Sequence, residues 1–169
     1  MLISLNLKLD VIVLSEIWTY NIQFYSNLLP GYTLYYNLPA NSNIGGIGVY
    51  VANNIMAIQT PEFKINKGDH RVENMWLQLV KNKKTYFQGA IYRHPNQSRA
   101  EFATKLEKTL SKINTRNHPS LLVGDITIDL LKSTTQKDTT SYVDMLISNN
   151  FLPITLFPTR ITNRTAINC

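Results

Sequence analysis

Two short apolar runs, each rich in branched side chains and each delivering a carboxylate where it ends, constrain this sequence most. Leu9-Asp10-Val11-Ile12-Val13-Leu14 leads through Ser15 to Glu16, and Ser120-Leu121-Leu122-Val123 leads through Gly124 to Asp125. Runs of this length and composition read as buried strands. Glu16 and Asp125 then stand where the chain leaves a sheet, a place from which carboxylates can hold Mg²⁺ or Mn²⁺. Each is also suited to cap a helix or form a turn.

The segments between these runs alternate in type. After Trp18, a polar and aromatic stretch to Leu29 can form a helix before Pro30-Gly31, and Tyr32 to Tyr36 reads as a strand. Gly45-Gly46-Ile47-Gly48 leads into a strand at Val49-Tyr50-Val51. Asn74 to Val80 and Thr85 to Tyr92 read as two strands joined by a polar hairpin turn, Lys81-Asn82-Lys83-Lys84. From Ser98 to Asn114 the period becomes helical, with Phe102, Leu106, Leu110 and Ile113 on one face and Ser98 with Glu101 as a capping box. Ser141 to Asn149 reads as a second helix and Phe151 to Cys169 as an extended tail. Early hairpins and later interleaved helices predict a mixed sheet system with helices outside it.

Composition narrows the class. At 169 residues, with 44% hydrophobic and 17% charged, the chain fits one folded domain spanning 1–169 and not a disordered segment. Its formal net charge of +6 favours polyanionic partners, since Lys and Arg that neutralise phosphates release counterions. Cys169 is the one cysteine, so no internal disulfide is possible. No apolar run reaches the length of a membrane span, and Lys8 and Asp10 interrupt the apolar start, so a nuclear or cytoplasmic location is expected and secretion is not. Tyr92-Arg93 leaves a strand and could meet a phosphate, or could be ordinary sheet-edge residues. His70, His94 and His118 show no metal-ligand spacing and receive no role.

Taken together, five ordered segments carry a resemblance. They are Asp10 to Trp18, Gly45 to Val51, Ala90-Ile91-Tyr92-Arg93-His94-Pro95-Asn96, Leu122 to Leu131 with Gly124-Asp125-Ile126-Thr127, and Pro158-Thr159-Arg160-Ile161-Thr162. In order and spacing the chain resembles the endonuclease/exonuclease/phosphatase superfamily, and within it the endonuclease domain of non-LTR (LINE-type) retrotransposons. The resemblance implies a four-layered α/β sandwich, two packed mixed sheets with helices on both outer faces. It implies nicking of DNA by Mg²⁺-dependent (or Mn²⁺-dependent) phosphodiester hydrolysis, with a reverse transcriptase downstream in a full-length element. By position, Glu16 would hold the metal, Tyr92 would reach the scissile phosphate, and Asp125 would orient or deprotonate the attacking water.

The same resemblance marks departures. The family reads Gly-Asp-Phe-Asn where this chain has Gly124-Asp125-Ile126-Thr127, and a threonine hydroxyl cannot reproduce a two-ended amide. Loss of one preorganised donor to a transition-state oxyanion typically costs on the order of 10²–10³ in rate. Asn168 stands where an aspartate is expected, and no terminal histidine follows it. Met1 lies too near Glu16 for the family's first strand and helix, and Asn6 does not take the place of the asparagine they carry. The expectation is a sandwich incomplete at its N- and C-terminal strands, inactive or strongly impaired. The competing expectations are a basic nucleic-acid-binding remnant without catalysis, or a phosphoesterase acting on small or lipid phosphates.

Overall fold

The computed structural model describes residues 8–19, 21–38, 45–65, 71–154, 160–162 and 165–167, the last two segments by backbone alone. Three strands, β1 (Val11–Ser15), β2 (Tyr32–Asn37) and β3 (Ile47–Ala52), form one sheet in the order β1-β3-β2, with both pairings antiparallel. Four more, β4 (Met56–Gln59), β5 (Val72–Lys81), β6 (Lys84–Arg93) and β7 (Ser120–Asp125), form a second in that same order. There β4-β5 and β5-β6 are antiparallel and β6-β7 is parallel, the long connection being the helix α2 (Arg99–Asn114). A helix α1 (Ile22–Ser26) lies beside the first sheet, α3 (Lys137–Ser148) follows β7, and β8 (Arg160–Thr162) pairs with β9 (Thr165–Ile167).

Alternation along the strands assigns the layers. Met75, Leu77 and Leu79 on β5 and Ala90 and Tyr92 on β6 meet Ile47, Val49 and Val51 of β3, filling the space between the sheets. Val72, Trp76, Phe87 and Ile91 point the other way, onto Phe102, Leu106, Leu110 and Ile113 of α2 and Tyr142, Met145 and Leu146 of α3. Phe102 is wholly buried and stacks on the Tyr142 ring at 6.0 Å. Burial of such a side chain contributes about 1.5–3 kcal/mol. On the outer face of the first sheet, the Tyr50 hydroxyl donates to the Tyr25 carbonyl of α1. The result is the four-layered α/β sandwich: helix, three-stranded sheet, four-stranded sheet, helices.

Local chemistry fixes the element ends. Asn82 and Lys83 both adopt positive φ, at 51° and 63°, the backbone that a two-residue hairpin between right-twisted strands requires. Ser98 caps α2, its hydroxyl accepting from the Glu101 amide at 3.4 Å. The structure corrects the reading in four places. α3 starts at Lys137, four residues before Ser141, and β4 was not anticipated. The helix after Trp18 is only five residues long. β1 is half-buried, and β7 leaves Leu121 and Val123 exposed. Both are the outer strands of their sheets among the described residues, which is why they are less covered than their apolar composition predicts.

Candidate active site

The carboxyl ends of β1, β6 and β7 converge at one rim of the sandwich. Glu16 follows β1 directly, in a left-handed conformation with φ of 55°, and its side chain is exposed. The backbone around it is tied to the approach to β3: the amides of Ile17 and Trp18 donate to the carbonyls of Gly46 and Gly45, at 3.4 and 3.0 Å. Across the sandwich, the hydroxyl of the buried Tyr92 donates to Glu16 Oε1 in a short hydrogen bond. That bond bridges the two sheets.

Strand register supplies the rest. In the second sheet Glu73 of β5 pairs with Tyr92 of β6, and Tyr92 pairs with Asp125 of β7. Directly paired residues of neighbouring strands share a face, so Glu73, Tyr92 and Asp125 form a row across the rim. The Tyr92 pKa is raised well above its ordinary value. Burial is the main cause, followed by the hydrogen bond to Glu16 and the charges of Glu16, Asp125 and Glu73. Tyr92 therefore stays a proton donor at neutral pH. Gly124 is required beside it, since a Cβ there would come within 1.7 Å of the Ile91 carbonyl oxygen.

Past β7, Asp125 Oδ1 accepts the Thr127 amide at 3.0 Å, forming a turn of the type that short polar side chains close on themselves. Thr127 adopts φ of 49°, strained for a β-branched residue. The cause is visible in Arg93. Buried at 2% exposure, Arg93 donates from Nε to the Ile126 carbonyl at 2.6 Å, from Nη1 to the Gln97 carbonyl, and from Nη2 to the Thr127 carbonyl and hydroxyl at 3.1 and 2.5 Å. Burial, then the charge of Arg99, lowers its pKa, while Asp125 and Tyr142 act in the opposite sense. Arg93 is thus committed to holding the loop and is not available to a phosphate. The Thr127 hydroxyl accepts from Arg93 Nη2 and donates to the Arg93 carbonyl at 3.5 Å.

Two residues that sequence reasoning passed over complete the site. The carboxylate of Glu73 accepts the Gly46 amide in a short hydrogen bond, and its other oxygen meets His94 Nε2 at 3.3 Å. The His94 ring lies edge-on to Tyr92, centroids 4.6 Å apart. Each left only an indirect signal: counting back from the Asn82-Lys83 turn pairs position 73 with 92, and His94 lies two residues beyond Tyr92. Gly45 is obligatory here, with φ of 104° and a notional Cβ 2.1 Å from Glu73 Oε1.

Of the expected residues, Glu16, Tyr92 and Asp125 come together, and Thr127 lies two residues past Asp125 with its hydroxyl turned to Arg93. Asn168 lies outside the described residues, as do Pro158, Thr159, Asn6 and His70. Among the described residues no three His, Cys, Asp or Glu side chains are grouped to hold a metal ion. The donor chemistry fits a hard cation held by one carboxylate: Glu16 is exposed, and Mg²⁺ commonly binds through one or two carboxylates with water and substrate phosphate completing its shell.

No protein-family model matches this sequence, and no curated protein matches it. Solved structures do. The endonuclease domain of TRAS1, a telomere-specific non-LTR retrotransposon, superposes with a TM-score of 0.60 at 8% identity, over 83% of this chain and 59% of that one. A humanised D. rerio TDP2 gives 0.59 at 11% identity, over 90% of this chain and 61% of that one. The human Nocturnin catalytic domain gives 0.58 at 12%, over 92% and 67%. This chain spans 39–61% of the TDP2 chains it matches. At such identities the likeness establishes the fold alone, one that an endonuclease/exonuclease/phosphatase family protein from Bacteroides thetaiotaomicron also has, with a TM-score of 0.58 at 12% identity.

Proposed function

We propose that the chain is a retrotransposon-type, metal-dependent DNA phosphodiesterase domain whose hydrolysis is strongly impaired at position 127. The observation that carries this reading is the buried Tyr92 hydroxyl, donating across the sandwich to exposed Glu16 with Asp125 in register on the adjoining strand. A D. rerio TDP2 of the same fold was solved with a single-strand DNA product, which supports DNA as the ligand, as does the formal charge of +6. The TRAS1 likeness supports the retroelement reading.

The roles follow from the chemistry of each group. Glu16 would hold Mg²⁺ or Mn²⁺, which when bound supplies a positive charge to offset that developing on the phosphate oxygens. Tyr92, kept protonated chiefly by burial, would turn its one hydroxyl proton from Glu16 to a phosphate oxygen once Glu16 holds the cation. Asp125, anchored by the Thr127 amide through one oxygen, orients the attacking water and accepts its proton. What Thr127 does not supply is a second donor at the phosphate, because its hydroxyl accepts from Arg93 Nη2 and turns its one proton to the Arg93 carbonyl at 3.5 Å. That occupied hydroxyl favours DNA binding with little or no turnover as the second reading.

The test is nicking of supercoiled plasmid with Mg²⁺ and with EDTA, alongside Glu16→Ala and Asp125→Ala. Slow nicking that needs Mg²⁺ and disappears in both variants is expected. Nicking unchanged in either variant overturns the assignment, and salt-sensitive DNA binding with no nicking supports the second reading.

A further inference from the structure

Glu16 does not stand alone at the rim. It opens into a hollow of about 520 Å³ lined also by Ile17, Trp18, Thr19, Asn21, Phe24 and Tyr25. Two aromatic side chains of this hollow face solvent, Trp18 at 61% and Phe24 at 62% exposure. Large apolar groups held together in water beside a reactive group mark a binding surface more often than chance.

Trp18 is held there at a cost. Its φ of 45° is an outlier for so bulky a residue, and such strain persists only where surrounding contacts impose it. Its amide is bound to the Gly45 carbonyl. The opposite wall is braced too: Tyr50 donates to the Tyr25 carbonyl, Tyr25 donates to the Ile17 carbonyl at 3.5 Å, and the Phe24 ring packs edge-on to Tyr25 at 5.5 Å. The hollow thus carries Trp18 on a tethered backbone and Phe24 on a braced helix, both beside the carboxylate of the proposed site. Polar Thr19 and Asn21 stand at its margin.

We infer that this hollow is a nucleobase subsite: an unstacked base of single-stranded or locally opened DNA stacks on Trp18 and Phe24 while its phosphodiester meets Glu16 and Tyr92. The inference rests on the proposed DNA reading and narrows it to unpaired substrate. Every base has a π-face, so aromatic stacking binds single strands with little regard to sequence, whereas a base inside a duplex is already stacked on its neighbours.

The protein carries its own probe. It has two tryptophans, Trp18 and the buried Trp76, so a ligand in the hollow is reported by Trp18 emission. Oligothymidylate and a hairpin duplex of equal charge are titrated with Ca²⁺ present to neutralise Glu16, for wild type, Trp18→Ala and Trp18→Phe. We expect oligothymidylate to quench Trp18. Trp18→Ala should weaken single-strand binding about tenfold, as loss of one stacked base does, and leave duplex binding within about twofold. Trp18→Phe should restore most of the loss. Absent quenching, or equal weakening of both ligands, overturns the inference, as does Trp18 emission that follows protein concentration, which would mean that a second copy fills the hollow. Plasmid nicking separates the two readings: nicking without single-strand preference sinks only the subsite, and single-strand preference without nicking leaves the subsite standing.

Discussion

Replacing Arg93 by methionine should destabilise the protein far more than losing a surface cation would. The side chain is 2% exposed, and methionine matches much of its volume, so packing is nearly kept. What changes is five acceptor contacts, one of them a long one of 3.4 Å to the His94 carbonyl. The Ile126 and Gln97 carbonyls lose buried donors, and the Thr127 carbonyl and hydroxyl lose half-buried ones. Each buried acceptor left unpaired costs about 1–3 kcal/mol, or about 2–6 for the two carbonyls. Against this stands relief from burying a charge, already seen in the lowered Arg93 pKa. The net expectation is about 2–4 kcal/mol, which for a chain of this size lowers Tm by about 4–16 °C. Circular-dichroism melts of wild type, Arg93→Met and Arg93→Lys measure it. Lysine should recover less than half, since a single ammonium cannot span carbonyls on both sides of a planar fork. A Tm shift under about 2 °C in Arg93→Met would refute the idea that this guanidinium holds the loop bearing Asp125.

Other outcomes follow from the same geometry. Thr127→Asn should raise Mg²⁺-dependent nicking by one to two orders of magnitude, since asparagine tolerates the left-handed backbone at φ of 49° and brings a second hydrogen-bonding end; an unchanged rate in single-turnover assays would mean that position 127 is not the lesion. Gly45→Ala should sharply slow nicking and speed amide exchange at Ile17 and Trp18, because φ of 104° strains an alanine and its Cβ would push the Glu73 carboxylate aside; unaltered exchange would detach Gly45 and Glu73 from the placement of Glu16. Tyr92 and Tyr142 have folded-state pKa values raised above their ordinary value of 10.0, each mainly by burial. A raised pKa gives stability that is present in full below the unfolded value, so unfolding free energy should hold steady up to about pH 10 and fall above it. Chemical denaturation followed with pH, with tyrosinate absorbance alongside, checks this, and a loss of stability beginning below pH 9 would contradict it.

The frame was legible because its strands obey local rules. The apolar alternation of β5 and β6, the polar turn at Asn82-Lys83 and the capped periodic face of α2 each announce themselves within a short window. The carboxylates were legible as strand ends, and Tyr92 through its motif. Less visible was everything decided by register between distant segments. Glu73 looks like a surface acid in the sequence, yet its pairing with Tyr92 and its hold on the Gly46 amide place it inside the site. Arg93 next to Tyr92 suggested a phosphate ligand; only the packing of the loop after β7 shows that its donors are spent on carbonyls. The exposure of β7 was hidden for the same reason, since an apolar run reads alike whether one or both of its edges are covered.

The row of Glu73, Tyr92 and Asp125 makes the β5-β6 hairpin a ruler. Its zero mark is the Lys81–Lys84 pair that closes the turn, and Glu73 and Tyr92 are each read off eight residues along. Inserting or deleting one residue on one arm would turn every later side chain of that arm through the sheet, sending Tyr92 toward α2 or Glu73 away from the Gly46 amide. The chemistry at one end of the hairpin is thus hostage to the length of its arms, while most single substitutions on its outer surface leave the measurement unchanged. Such a site is robust to changes of letter and fragile to changes of count.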